Sequence, residues 1–373
     1  MVRVTRPSFA LAFYHLVLLS ACQGGQDSAD LVLLAPHDSF SFFVLGDWGM
    51  GTDVQRSVAE SINTEAQRVE DALFVLNVGD NFYKNAVGGE KQGGVESVDD
   101  PLWKEYFEDM YDGSHLKALP FVSILGNHDY MGNFTAQLDF AKTSDRFLMP
   151  ERNFVSRVRN RETGATLATF VHVDTTPLVG MYDSHPENSK MAQNLLELEK
   201  EADGMKWLSA TLARLAGEEG FTFVAGHHPV RSGYFSEDAV KQGIMDENMA
   251  NLQAILEEYR VDAYFSGHMH ALEHVHYKDV EYFLSGGGGE SKVYARGEDG
   301  VGSRSWSKMS AGFVTVIMDG KGAANLIYRD IDGTELYSYT MPEPRCEKQK
   351  RQRAPLLQLL YSQLPRRLRT AFE

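Results

Sequence analysis

Cysteine is scarce in this chain: 373 residues hold two, Cys22 and Cys346, near opposite ends. No internal disulfide framework follows from so few. Positive charge is in deficit too, with 36 Lys and Arg against 52 Asp and Glu and a formal net charge of -16. A nucleic-acid-binding surface needs a basic face to collect phosphates, and this balance argues against one. The cations present crowd into the last stretch, from Arg345, Lys348 and Lys350 to Arg366, Arg367 and Arg369, so the body is more acidic than the total. Long apolar runs are also missing. The one candidate, residues 9–19, follows Arg3 and Arg6, precedes Ser20 and Ala21, and is too short for a membrane span. It reads as an export signal over residues 1–22. Leu19-Ser20-Ala21-Cys22 also has the form of a bacterial lipobox, which would make Cys22 the lipidated first residue of the mature chain. Simple cleavage and lipidation both stay open.

The apolar and charged fractions, 43% and 24%, are ordinary for a globular protein, and the body is not expected to be disordered. Five short motifs dominate it: Gly46-Asp47, Gly79-Asp80-Asn81-Phe82-Tyr83, Gly126-Asn127-His128-Asp129, Gly226-His227-His228-Pro229 and Gly267-His268-Met269-His270. Each follows an apolar run that reads as a buried strand, at 42–45, 73–78, 121–125, 221–225 and 263–265. A carboxylate or imidazole is thus delivered repeatedly just past a strand end. To share one site these segments must fold together, which predicts a single domain over 39–341 followed by a basic tail over 345–373.

Strands alternate with helical stretches as far as residue 265. Thr52 is placed to cap a helix running to about Gln67, Asp100-Pro101 opens another to about Tyr111, and 206–215 and 248–259 read as amphipathic helices. Alternation at 153–158 and 167–173 suggests a hairpin. Beyond Gly267 the pattern turns to strands, at 282–284, 313–318, 324–328 and 336–340. The expected class is α/β, two mixed sheets packed face to face with helices outside and one sheet carrying most of the site loops. Two glycine-rich segments, 88–94 and 286–289, lack the spacing of a nucleotide fingerprint. The first reads as a mobile rim, the second as a place where backbones pack closely beneath the site.

Hardness sorts the side chains. Asp47, Asp80 and the phenolate of Tyr83 offer hard anionic oxygens suited to a trivalent iron, while the amide of Asn127 and the imidazoles of His227 and His268 suit a divalent ion. Asp80 is best placed to bridge the two. Such ions would lower the pKa of a bound water to near or below neutral, which would fit the centre for in-line hydrolysis of a phosphate ester with no phosphoenzyme needed. A cysteine-based phosphatase is excluded, because it needs an arginine six positions after its nucleophile and Gln352 stands there after Cys346.

Over about residues 39 to 339 the sequence resembles a purple acid phosphatase, most closely the tartrate-resistant acid phosphatase branch of the metallophosphoesterase superfamily. The tyrosine-bearing motif from Gly79 to Tyr83 carries the likeness, with Asp99-Asp100-Pro101, Phe107-Glu108-Asp109 and the stretch from Gly132 to Gln137. The resemblance implies a calcineurin-like sandwich and an exported acid phosphatase acting on small phosphomonoesters. It implies ferric iron held by Asp47, Asp80, Tyr83 and His270, and a divalent ion (Fe2+, Zn2+ or Mn2+) held by Asp80, Asn127, His227 and His268. Asn127 and His128 would meet the substrate, His128 stabilising the transition state. A secreted, periplasmic or cell-surface location is expected, with membrane attachment open through Cys22 or the basic tail. A nucleotidase or phosphodiesterase on the same centre is the alternative, and a non-catalytic metal-containing binding protein a third.

The sequence departs from the family in one place. Relatives of the tartrate-resistant branch carry a Glu-His pair shortly after the fourth motif, implicated in protonating the leaving group, and residues 231–238 contain no histidine. His228, Glu237 and Asp238 are the substitutes in view. Asp330-Ile331-Asp332-Gly333-Thr334 matches the nucleophile motif of haloacid-dehalogenase phosphatases but reads as a hairpin turn between apolar strands. Asn133-Phe134-Thr135 is a glycosylation sequon that matters only in a eukaryotic secretory host. His37, His115, His172 and His185 have no motif context, and His274 and His276, which follow the last motif, are expected behind the site or on the surface, with a place lining the cleft as the alternative.

Overall fold

Strands buried on both faces need apolar residues at nearly every position, and the segments ahead of the motifs have them. Ser39–Leu45 is buried at all but its first residue and Ala72–Asn77 throughout. The computed structural model describes residues 17–18, 30–84, 92–179, 189–198, 204–234, 247–293 and 304–345. Apart from Val17–Leu18, the expected export signal lies outside them, as does the tail beyond Arg345. Among the described residues no helix is long and apolar enough to cross a membrane.

Two mixed sheets make the body. The seven-stranded sheet runs Glu335–Met341, Ala324–Asp330, Gly312–Asp319, Ser39–Leu45, Ala72–Asn77, Phe121–Ser123, Phe147–Leu148. Its last four strands are parallel, and its first three form an antiparallel meander joined to Ser39–Leu45. In the nine-stranded sheet the order is Val17–Leu18, Leu31–Ala35, Phe154–Asn160, Thr166–His172, Phe221–Ala225, Ala263–Ser266, Val280–Ser285, Leu272–Tyr277, Arg304–Lys308. The expected hairpin is the antiparallel pair Phe154–Asn160 and Thr166–His172, and the strands from Thr166 to Ser285 that face one another across this sheet's centre run parallel. Aromatic rings bolt the sheets together. Phe42 of one meets Phe170, Phe223 and Phe265 of the other at 5.3, 6.3 and 6.2 Å between centroids, and Phe74 meets Phe170 at 5.4 Å.

The first helix is Asp53–Val69, with Thr52 as its cap: Thr52 Oγ1 accepts from the Gln55 amide at 3.1 Å, and the helix ends at Glu70 in a left-handed conformation. The helix expected from residue 100 differs in kind. Trp103–Glu108 is wound as a π-helix, with the Asp109 amide donating to Lys104 O at 2.8 Å, five residues back. That wider turn keeps residues four apart near one face. Trp103 packs on Phe82 at 4.7 Å and Phe107 on Phe121 at 5.2 Å. Gly204–Leu215 and Glu247–Glu258 match the two amphipathic readings. Helices Phe134–Ala141 and Lys190–Leu198 and strands Leu31–Ala35, Leu272–Tyr277 and Arg304–Lys308 are additions. Leu272–Tyr277 escaped because polar Glu273 and His274 stand at buried positions and His276 at a half-buried one, breaking the apolar pattern.

Asp330 to Thr334 is the expected turn between antiparallel strands: Gly333 has φ +77, and Asp330 Oδ1 accepts from the Asp332 and Thr334 amides. Of the glycine-rich rim at 88–94, the described part begins at Gln92–Gly93, which pairs with Tyr83–Lys84.

Candidate metal centre

The motifs converge across the two sheets. Loops after Ser39–Leu45, Ala72–Asn77 and Phe121–Ser123 bring Asp47, Asp80, Tyr83, Asn127 and His128 from the seven-stranded sheet; loops after Phe221–Ala225 and Ala263–Ser266 bring His227, His268 and His270 from the other. Asp47, Asp80 and His268 each adopt positive φ, at 57, 53 and 72°. Non-glycine residues seldom do so, and such strain persists where surrounding contacts impose it. Those contacts are visible. The Asp47 amide donates to Gly79 O at 2.9 Å, Asp80 Oδ1 accepts from the His128 amide at 2.8 Å, and the His268 amide donates to Asp47 Oδ2 at 2.8 Å. Close approach is bought with glycine: a Cβ on Gly126 would lie 2.2 Å from Asp80 Oδ1. Segment 286–289 packs as expected, the Gly288 amide reaching Gly46 O at 3.1 Å.

Tyr83 Oη stands at the junction, donating to Asp80 Oδ2 at 2.7 Å and lying 3.0 Å from Asp47 Oδ1 and 3.2 Å from His270 Nε2. On the other side Asn127 Oδ1 lies 2.9 Å from His268 Nδ1 and 3.2 Å from His227 Nε2, which is 3.4 Å from Asp80 Oδ2. These spacings, 2.7 to 3.4 Å, match the roughly 3 Å between neighbouring ligand atoms around a metal with bonds of about 2.1 Å. Among the described residues, ligand atoms of two trios lie within 4.8 Å of one another: Asp47, Asp80 and His227, all buried, and His227, His228 and His268, of which His268 is half-buried.

Charge accounts for the rest of the centre's character. Burial would raise the Asp80 carboxyl, but His227 and His128, with hydrogen bonds from His227 and Tyr83, hold it well below the usual range. Burial opposes a charge on His227, yet Asp80 and Asp47 raise it to about 9. The centre therefore draws positive charge to itself. Burial, then Asp47 and Asp80, push the Tyr83 phenol well above its ordinary value, so a phenolate forms there only against a cation. Burial and His227 lower His268 to about 3, leaving a neutral imidazole fit for coordination. Oxygen-rich on one side and nitrogen-rich on the other, this donor set fits a pair of cations of unlike hardness.

The His128 ring packs at a tilt of 43° against the Tyr83 ring, 4.3 Å between centroids, and its Nδ1 is a buried atom without a hydrogen-bond partner. Burial keeps its pKa low. His228 is buried and no rim residue: Thr175 Oγ1 lies 2.8 Å from its Nδ1, and its ring is 4.6 Å from that of His268. Burial, then His268 and His227, hold it well below the usual histidine range, hence neutral. Glu237 and Asp238 lie outside the described residues, as does His185. His172 is internal, and His274 and His276 pair with Glu281 away from the cluster.

Several supporting roles went unread in the sequence, that of the motif residue Asp129 among them. Asp129 accepts from the Gly126 and Asn81 amides and from Gln137 Nε2 at 2.7 Å, tying two site loops together. Burial and the Asp80 charge raise it to about 7. Glu290 and Thr175, unlike Asp129, had no motif to mark them. Nothing but the fold brings them to His270 and His228.

A family model described as calcineurin-like phosphoesterase matches residues 40–272. Purple acid phosphatase 7 of Arabidopsis thaliana is 31% identical over 80% of this chain and 85% of its own length. The chain belongs to the purple acid phosphatases. Tartrate-resistant acid phosphatase type 5 of Rattus norvegicus is 28% identical, covering 83% of this chain and 92% of the relative. Among solved structures, GAP50, described as the anchor in the inner membrane complex of Plasmodium, superposes with a TM-score of 0.63 at 22% identity over 82% of this chain and 89% of that one. Purple acid phosphatase PPD1 from yellow lupin seeds gives 0.57 at 16% identity, over 86% and 57%. Both likenesses are of fold. Membership of the purple acid phosphatases implies a dinuclear metal centre, and the buried His and Asp groups are its candidates.

Proposed function

We propose that this purple acid phosphatase hydrolyses small phosphomonoesters at a mixed-valence pair, Fe3+ held by Asp47, Asp80, Tyr83 and His270 and a divalent ion held by Asp80, Asn127, His227 and His268. One observation carries the reading: the Tyr83 hydroxyl touches both buried carboxylates and His270 at once. The ions would supply the activated water and neutralise charge on the transferring phosphoryl group. Asp80 lies between the two donor sets and would bridge them. His128, held by its amide on Asp80 and carrying an unpartnered buried Nδ1, would meet the phosphate together with Asn127. The fourth and fifth loops keep their imidazoles neutral or paired with carboxylate, and the ions, in place of a side chain, would supply the nucleophile.

We further propose export, from the 1–22 segment, to a secreted, periplasmic or cell-surface location, with Cys22 lipidation or the basic tail as the route to any membrane attachment. The domain is taken as 39–341.

The visible absorption spectrum of the purified protein beside Tyr83→Phe, with iron, zinc and manganese quantified, tests the centre. A broad band present only with Tyr83, and near one iron plus one divalent ion per chain, is expected. Turnover of p-nitrophenyl phosphate should exceed that of bis(p-nitrophenyl) phosphate and of nucleoside monophosphates. A colourless protein loaded with two divalent ions and preferring diesters or nucleotides would favour the nucleotidase or phosphodiesterase reading. Full metal loading with no turnover of any activated ester would leave the binding protein.

A further inference from the structure

The two imidazoles that point inward through Nε2 are oriented from behind by unlike groups. His227 Nδ1 lies 2.8 Å from Val78 O, a neutral carbonyl. His270 Nδ1 lies 3.0 Å from Glu290 Oε1, a carboxylate. Each partner can only accept, so both Nδ1 atoms carry a proton and both Nε2 atoms face the cluster, where their lone pairs are the ones available to a cation. The difference is one of charge.

We infer that Glu290 is a positioning residue for the trivalent-ion side of the centre, fixing the tautomer of His270 and adding a negative charge that favours the higher oxidation state there. This rests on the ferric assignment proposed above. The donors on that side are Asp47, Asp80 and Tyr83, and Glu290 places one more anion behind their neutral neighbour His270. Asn127, His227 and His268 on the opposite side are neutral donors, and His227 leans on an uncharged carbonyl. Glu290 thus steepens the charge gradient that separates the two ions. An imidazole hydrogen-bonded to carboxylate is also a more basic ligand than one bonded to a carbonyl.

Position is secured by the chain. Glycines 286–289 pack against the Asp47 loop, the Gly288 amide on Gly46 O at 3.1 Å and Thr52 Oγ1 on Gly289 O at 2.6 Å, so the residue that follows is delivered at a defined place. Past it, the Lys292 amide donates to His270 O at 3.0 Å, closing the segment onto the ligand it supports. Lys292 Nζ lies 2.9 Å from the same Glu290 Oε1. Its side chain is 40% exposed, so solvent weakens its opposition to the Glu290 charge without abolishing it.

The arrangement predicts opposite shifts from two neighbours. The full-length protein, purified with iron and its divalent partner, would be titrated with redox mediators while the visible band is followed, beside Glu290→Gln and Lys292→Met. Glu290→Gln should favour the reduced iron about tenfold, a shift of about 59 mV to higher potential for one electron, and retain iron roughly 10-fold less well against a chelator. Lys292→Met should move the potential the other way, by less. A wild-type band with unchanged potential and iron retention in both variants would overturn the inference alone. An iron-loaded wild type lacking the band would overturn the ferric assignment and this inference with it. If Glu290→Gln folds poorly, the sign of the Lys292→Met shift still decides: a downward shift supports the role and no shift refutes it.

Discussion

At the scale of single residues, the centre depends as much on atoms that are missing as on those present. Gly126 has no side chain because Asp80 occupies the space: a Cβ would meet Asp80 Oδ1 at 2.2 Å and its amide nitrogen at 2.3 Å. Gly126→Ala must therefore displace the Asp80 carboxylate or the Asn127 loop. A misplacement of about 1 Å costs roughly 100-fold in rate, and we expect kcat to fall by about that factor with the far-UV circular dichroism unchanged. Wild-type kcat in Gly126→Ala would show that the loop relaxes at no cost to the cluster. The sequence announced Gly126 through its motif but said nothing of what it faces. Residue types were legible; Glu290 and Thr175 were not, nor was the role of Asp129 within its motif, because a supporting hydrogen bond leaves no spacing of its own.

Among the secondary structure elements, strands ahead of motifs were read well for a physical reason: buried on both faces, they appear as continuous apolar runs ended by glycine. Where chemistry intrudes on a strand the signal fails. Leu272–Tyr277 buries Glu273 and His274 and half-buries His276; Glu281 and Tyr337 from other strands pair with the two histidines, and the Gly233 amide donates to Glu273. Backbone winding was equally hidden, since residues 100–111 read as an ordinary helix and form a π-turn that depends on where Phe82 and Phe121 sit. Packing between the sheets makes its own prediction. Phe42 is fully buried among Phe74, Phe170, Phe223 and Phe265, and Phe42→Ala should cost about 3–5 kcal/mol of stability. Urea unfolding would read that loss. A cost below about 1 kcal/mol would mean the two sheets can close over the cavity.

For the whole molecule, acid is the relevant stress, because an acid phosphatase works where buried histidines are driven to charge. His172 lies between the rings of Phe154 and Phe170, 4.1 and 6.3 Å away, with Ser156 Oγ 2.8 Å from its Nε2. Burial lowers its pKa from 6.5 to about 3. The unfolded chain takes up this proton before the folded one does, so the stability it lends is complete above pH 6.5 and is lost as pH falls toward 3. At about 1.4 kcal/mol per pH unit, wild type should lose roughly 3 kcal/mol more than His172→Gln between pH 6.5 and 4. Equal losses in urea titrations at the two pH values would show that His172 charges freely in the folded state. Sequence by itself determined the sandwich class, the donor types and the order in which they meet the strands, since burial periodicity and ligand chemistry are properties of short segments. Only the tertiary structure decided which donors touch, which carry left-handed backbone, and which distant carboxylate or hydroxyl orients each imidazole. Those are contacts between loops of two separate sheets, and their geometry exists only once the sheets are packed.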